Sequence, residues 1–103
     1  MSVVVVAVLT PRPGRIQEVL DAFAVVSPTV HEEPGCELYA LHHDDEKVVM
    51  VERWSSREEL DAHSAGRPLA ELNTLLGDAL AAPPDVSVLE NVPFGNPVKG
   101  TIQ

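Results

Sequence analysis

An α+β domain, built as a four-stranded antiparallel sheet with helices on one face, is predicted from three observations. Runs of strand length and runs of helical spacing follow the order strand, helix, strand, strand, helices, strand, which is the split βαβ plan. The first and third strands are apolar on both sides, so both of their faces must be covered. A short polar loop joins the second strand to the third, which makes that pair an antiparallel hairpin.

Ser2 to Thr10 supplies the first strand, in which Val4, Val6 and Val8 oppose Val3, Val5, Ala7 and Leu9. It has no wet side and belongs in the middle of the sheet. Pro11, Pro13 and Gly14 turn the chain, and Ile16, Val19, Leu20, Phe23 and Val30 then recur at helical spacing. Pro28 falls inside that pattern and deletes one backbone bond, so a kink is expected, or a restart with Ser27 as cap. Pro34-Gly35 ends the helix. Cys36 to His43 reads as the second strand, followed by the Asp44-Asp45-Glu46 loop.

In the third strand, Val48 to Trp54, side-chain alternation puts Val48, Met50, Glu52 and Trp54 on one side and Val49, Val51 and Arg53 on the other. Ser56 fits an N-cap, with Glu59 three residues on to complete a reciprocal capping box, so the next helix begins near Arg57. Leu60 and His63 share one face of it. Gly66 breaks the pattern and Pro68 opens a further helix whose stripe is Leu69, Leu72, Leu75, Leu76, Ala79 and Leu80. Pro83-Pro84-Asp85 stops it. Val86 to Val92 is the fourth strand and completes a domain over residues 1–92. The tail 93–103 is rich in Pro and Gly but keeps Phe94, Val98 and Ile102, so ordering against a partner chain is expected.

With 103 residues and 45% hydrophobic content, the chain can build one core and no second domain. A net charge of -9 and a pI near 4.6 argue against nucleic acid and anionic membranes, which need clustered Lys and Arg. No run of apolar residues is long enough to span a bilayer, and no basic segment precedes the Val-rich run as in a secretory signal. A single cysteine, Cys36, suits a reducing cytoplasm. With helices on one face only, the other face would be left in water, which predicts a homodimer packed sheet to sheet.

The third strand and the helix after it bring Glu52, Trp54 and His63 to one corner. At this point the residues carry a resemblance. Arg12-Pro13-Gly14, Val19-Leu20-Asp21, Pro28-Thr29-Val30, Glu33-Pro34-Gly35-Cys36 with Tyr39, Glu52-Arg53-Trp54, Ser56 and Leu60-Asp61-Ala62-His63 resemble the antibiotic biosynthesis monooxygenase domain family, including its small quinol monooxygenases. The likeness covers roughly residues 2 to 92. It implies a ferredoxin-like unit that forms a dimeric α+β barrel, with a ligand between sheet and helices. It also implies oxygenation of a small aromatic quinol or polyketide-like phenol without flavin, haem or metal. Two departures stand out. Gly66-Arg67-Pro68 replaces the Ser-Pro-His of many relatives, and Val3 to Leu9 lacks the asparagine of the haem-degrading branch, which disfavours haem.

A cofactor-free oxygenase must deprotonate its substrate, stabilise the anion and exclude water. His63 is the natural base and Glu52 can orient the imidazole or a bound hydroxyl, the two expected catalytic residues; Trp54, Tyr39, Met50 and Leu60 are the expected substrate contacts. The same residues also have structural readings. His63 can be a core histidine bonded to a carbonyl, Trp54 and Tyr39 can be packing, and Glu52 can pair with an arginine of the dimer mate. An isomerase or tautomerase of a small carbonyl compound would use the same base, and a non-catalytic ligand-binding dimer would use none. His42, His43, Asp44, Asp45 and Glu46 do not form a metal site, because successive hairpin residues point to opposite sides. Cys36 lacks a base or cation nearby in sequence and is read as inert.

Overall fold

The computed structural model describes residues 2–102. Seven elements follow in chain order: β1 (Val3–Leu9), α1 (Ile16–His31), β2 (Cys36–His43), β3 (Val48–Trp54), α2 (Arg57–Ser64), α3 (Arg67–Leu76) and β4 (Asp85–Leu89). The strands form one antiparallel sheet in the order β2-β3-β1-β4, so the two strands that are apolar on both sides lie in the middle. This is the ferredoxin-like α+β plan. Among the described residues no helix is long and apolar enough to cross a membrane.

Cross-strand pairing fixes which residues share a face. Val5 opposite Glu52 and Ala7 opposite Met50 point toward the helices, with Tyr39 beside Glu52. Val6 opposite Val51 and Val8 opposite Val49 point away, as do Leu38 and Arg53. On the helix side, Val19, Phe23, Val26 and Val30 of α1 pack with Val48, Met50 and Trp54 into the core. The alternation read for β3 holds residue by residue, since Val48, Met50, Glu52 and Trp54 are buried and their neighbours are half-buried.

Four expectations need correction. Helix α1 runs through Pro28, so of the kink and the restart expected there the restart at Ser27 does not occur, because Val26 and Val30 hold both flanking turns in the core. The carbonyl of Ala24, which loses its donor to Pro28, belongs to an exposed residue and can turn to water. Helix α3 stops at Leu76, well before Pro83, because Gly77 takes φ +53, a backbone state that favours glycine. Ala79 and Leu80 serve instead in a loop tied to the end of β1, with Arg12 N–H donating to the Ala79 carbonyl at 2.7 Å and Leu80 bridged to Pro11. Leu75 leaves the apolar stripe and is 44% exposed. Strand β4 ends at Leu89 rather than Val92, since Leu89 already pairs with Val4 and little of β1 remains beyond it. The fourth concerns the α2 cap. The Ser56 hydroxyl accepts from Glu59 N–H at 3.2 Å, but the return bond of the box does not form among the described residues. The stem of Glu59 lies against Gly35, where a side chain would clash with it.

The tail folds back onto the outer sheet face. Arg53 Nη1 donates to the Ile102 carbonyl at 2.8 Å, and Ile102 N–H donates to Asn91 Oδ1 at 2.9 Å. Phe94 is left 84% exposed.

Candidate functional site

Helix α3 packs on α1 and stands off the sheet, which leaves a gap over β1 and β4. That gap is a cavity of about 190 Å³. Its walls are mainly apolar, with Val5, Ala7 and Met50 from the sheet, Phe23 from α1, and Leu60, Leu72 and Leu76 from the later helices. Arg57, Asp61, Ser64 and Asn73 give it an exposed polar rim, and Val86 and Val88 of β4 border it on the sheet side. Three buried polar side chains reach it: Tyr39, Glu52 and His63.

Their placement follows from the local sequence. The pleat of β3 turns Glu52 inward, where it is 7% exposed; the Ser56 cap starts α2 at the register that lays Leu60 and His63 over the sheet, with His63 5% exposed. Trp54 Nε1–H donates to Glu52 Oε1 at 2.8 Å. The same oxygen lies 4.0 Å from His63 Nε2. On the opposite edge of the ring, His63 Nδ1 lies 2.9 Å from Glu33 Oε2. The imidazole stacks on the Trp54 indole with ring centres 4.5 Å apart and planes 27° apart, and Tyr39 meets its edge at 5.9 Å.

Burial pushes the Glu52 carboxyl above its usual range, and the charge of Glu33 adds to that. The bond from Trp54 and the nearness of His63 pull the other way. Burial also raises the Tyr39 phenol, helped by Glu52 and Glu33, so it stays a protonated donor. The Cys36 thiol is raised for the same reasons and holds its proton. The cluster can therefore donate from Tyr39 and accept on the imidazole, with the Glu52 carboxyl beside it. All three groups lie at the buried end of the cavity, away from its exposed rim.

Of the residues picked out in the sequence, Glu52, His63, Tyr39, Met50 and Leu60 line the cavity. Trp54 does not. It is fully buried behind His63, so it supports the imidazole and orients Glu52 instead of forming a wall. Arg53, as the alternation requires, faces away, with its Nε 2.9 Å from Glu37 Oε1 in an ion pair that lacks hydrogen-bond alignment. His42 pairs opposite Val49 and His43 opposite Val48, so the two imidazoles leave the sheet on opposite faces. Among the described residues no group of three His, Cys, Asp or Glu side chains converges on one point. Glu33 was the residue that inspection of the chain missed, thirty positions from its partner. The contact becomes visible only in the structure, where the pairing of Cys36 with Trp54 brings the residues just before β2 next to the start of α2.

Residues 2–72 match the family described as antibiotic biosynthesis monooxygenase. YgiN of Escherichia coli K12, named a probable quinol monooxygenase, is 39% identical over 72 aligned residues that cover 57% of this chain and 69% of that one. Rv0793 of Mycobacterium tuberculosis is 34% identical over 92 residues covering 84% and 88%. The solved structure of Rv0793 superposes with a TM-score of 0.82, covering 89% of this chain and 96% of that chain.

Proposed function

Since the chain belongs to the antibiotic biosynthesis monooxygenase family, we propose that it oxygenates a small aromatic quinol using electrons supplied by the quinol itself. The observation that carries this reading is the pairing of a buried imidazole and carboxyl group with a phenol donor in a mainly apolar cavity of about 190 Å³. A cavity of about 150 Å³ accepts a benzene ring, so this one suits one ring or two fused rings. YgiN's name lends the substrate class support.

His63 takes the hydroxyl proton of the bound quinol, and Tyr39 donates to the oxygen that gains charge. The electron-rich quinolate passes an electron to O2, and the two radicals join in a carbon–oxygen bond at the ring carbon beside the deprotonated oxygen. The imidazolium returns its proton to the resulting peroxide. The ring carbon then gives up its hydrogen as a proton while the O–O bond breaks, and the departing oxygen leaves as water. In sum, quinol and O2 give hydroxyquinone and water. The apolar walls keep competing water from the peroxide.

Oxygen uptake with 1,4-benzenediol and 1,4-naphthalenediol tests the reading. One O2 consumed per hydroxyquinone is expected, with His63→Ala slower by about 10²–10⁴-fold. No uptake above a heat-killed control would refute it, and substrate turnover without oxygen consumption would favour the tautomerase alternative.

The active form is proposed to be a homodimer. Val6, Val8, Val49, Val51, Leu38 and Leu89 make the outer sheet face apolar and only half-covered or exposed, which supports a second sheet packing there.

A further inference from the structure

We infer that Glu33 is a positioning residue that sets the tautomer of His63 and so decides which ring nitrogen can accept a proton. The kinetic part of this inference rests on the proposed oxygenase reading; the tautomer itself does not. Glu33 follows α1 directly, with its N–H bonded to the Val30 carbonyl and its own carbonyl accepting from Cys36 N–H, so its backbone is held on both sides. Its Oε2 lies 2.9 Å from His63 Nδ1. An ionised carboxylate only accepts, so the hydrogen of that bond belongs to Nδ1. The neutral ring then carries its lone pair on Nε2, the nitrogen on the Glu52 side.

The consequence is chemical. With Glu33 present, Nε2 is free to take a hydroxyl proton, and the imidazolium that results meets a carboxylate at Nδ1. Without it, nothing holds the hydrogen on Nδ1, and the tautomer that solvated histidine favours places it on Nε2, where it blocks proton uptake. The stack on Trp54 keeps the ring plane but is indifferent to which nitrogen is protonated.

Long-range proton–nitrogen NMR correlation of His63 reads the tautomer directly. Neutral wild-type His63 is expected as Nδ1–H, Glu33→Ala as predominantly Nε2–H or a mixture, and Glu33→Gln as Nδ1–H again, because the amide oxygen can still accept. In oxygen uptake, Glu33→Ala is expected to lose about tenfold or more in kcat with KM little changed, the size seen when the partner of a functional histidine is removed, and Glu33→Gln to recover part of it. Wild-type His63 found as Nε2–H, or a tautomer unmoved in Glu33→Ala, would overturn the assignment. Should Glu33→Ala fail to fold, the wild-type and Glu33→Gln spectra still decide. The expected tautomers combined with no oxygen uptake would retain Glu33's role and remove the oxygenase reading.

Discussion

Glu52 and Arg53 are neighbours in one strand, yet each belongs to a different region of the molecule. Glu52 points under the helices, where it accepts from Trp54 and sits near His63 beside the cavity. Arg53 points to the outer face, where it holds Glu37, the hydroxyl of Ser2 and the last described carbonyl of the tail. The inner face carries the cavity and one buried polar cluster; the outer face has an apolar middle flanked by His42, Asp85, Ser87 and Arg53. The pleat alone separates the proposed reaction chamber on one side from the proposed association surface on the other. That separation can be broken by substitution.

The largest effect is expected on the inner face. Trp54 is fully buried, stacks on His63 and supplies the donor to Glu52. Trp54→Ala should cost about 3–5 kcal/mol in urea unfolding, a large share of the stability of a domain this size. A loss below about 1 kcal/mol would mean that the indole is not the support described. On the outer face, Val51→Glu places a charge opposite Val6 in the middle of the proposed dimer surface. The fold should persist by circular dichroism, because Val51 is only half-buried, while the dimer dissociation constant by sedimentation rises about tenfold or more. A wild-type protein that sediments as a single chain would remove the outer face from any role in association.

These two faces were not equally legible in the chain. The third strand could be read residue by residue, since a period of two leaves little freedom once one face is buried, and the Ser56 cap set the start of α2. Helix ends were harder. Leu80 fits a stripe by spacing, but the glycine at position 77 ends the helix before it, and Leu75, still inside the helix, is left on its exposed side. Pro28 reads as a breaker locally and is overruled by the burial of Val26 and Val30. Of the site, the residues on β2, β3 and α2 were within reach because they follow one another through a hairpin and a cap. Glu33 was not, because its contact with His63 depends on how α1 returns to the sheet. The cavity was not either, since it exists only because α3 leans on α1.

Glu52→Gln is a smaller change that sharpens the inner side. Burial raises the folded-state pKa of Glu52 above that of the unfolded chain, so the folded protein binds this proton more tightly. The stability that comes from the neutral carboxyl is therefore complete below the ordinary glutamate pKa, about 4.3, and is lost as pH rises through the folded value. Glutamine stays neutral and can still accept from Trp54. Unfolding curves from pH 4 to pH 8 should accordingly show Glu52→Gln gaining stability relative to wild type as pH rises. A difference that is flat with pH would mean that Glu52 is better solvated than its burial indicates.

The smallest effect is expected one residue along. Arg53→Ala removes a partly exposed ion pair with Glu37 and the donor to the Ile102 carbonyl. Pairs of this kind contribute about 0–1 kcal/mol, so global stability should move little. Hydrogen exchange should still detect the change, because the Ile102 N–H, bonded to Asn91, lies in the segment that Arg53 holds down and should exchange faster once released. Oxygen uptake should stay within about twofold of wild type, since no atom of Arg53 lines the cavity. If Arg53→Ala instead slowed uptake as much as His63→Ala, the two faces would be coupled through the tail, and the division of labour along the β3 pleat would be wrong.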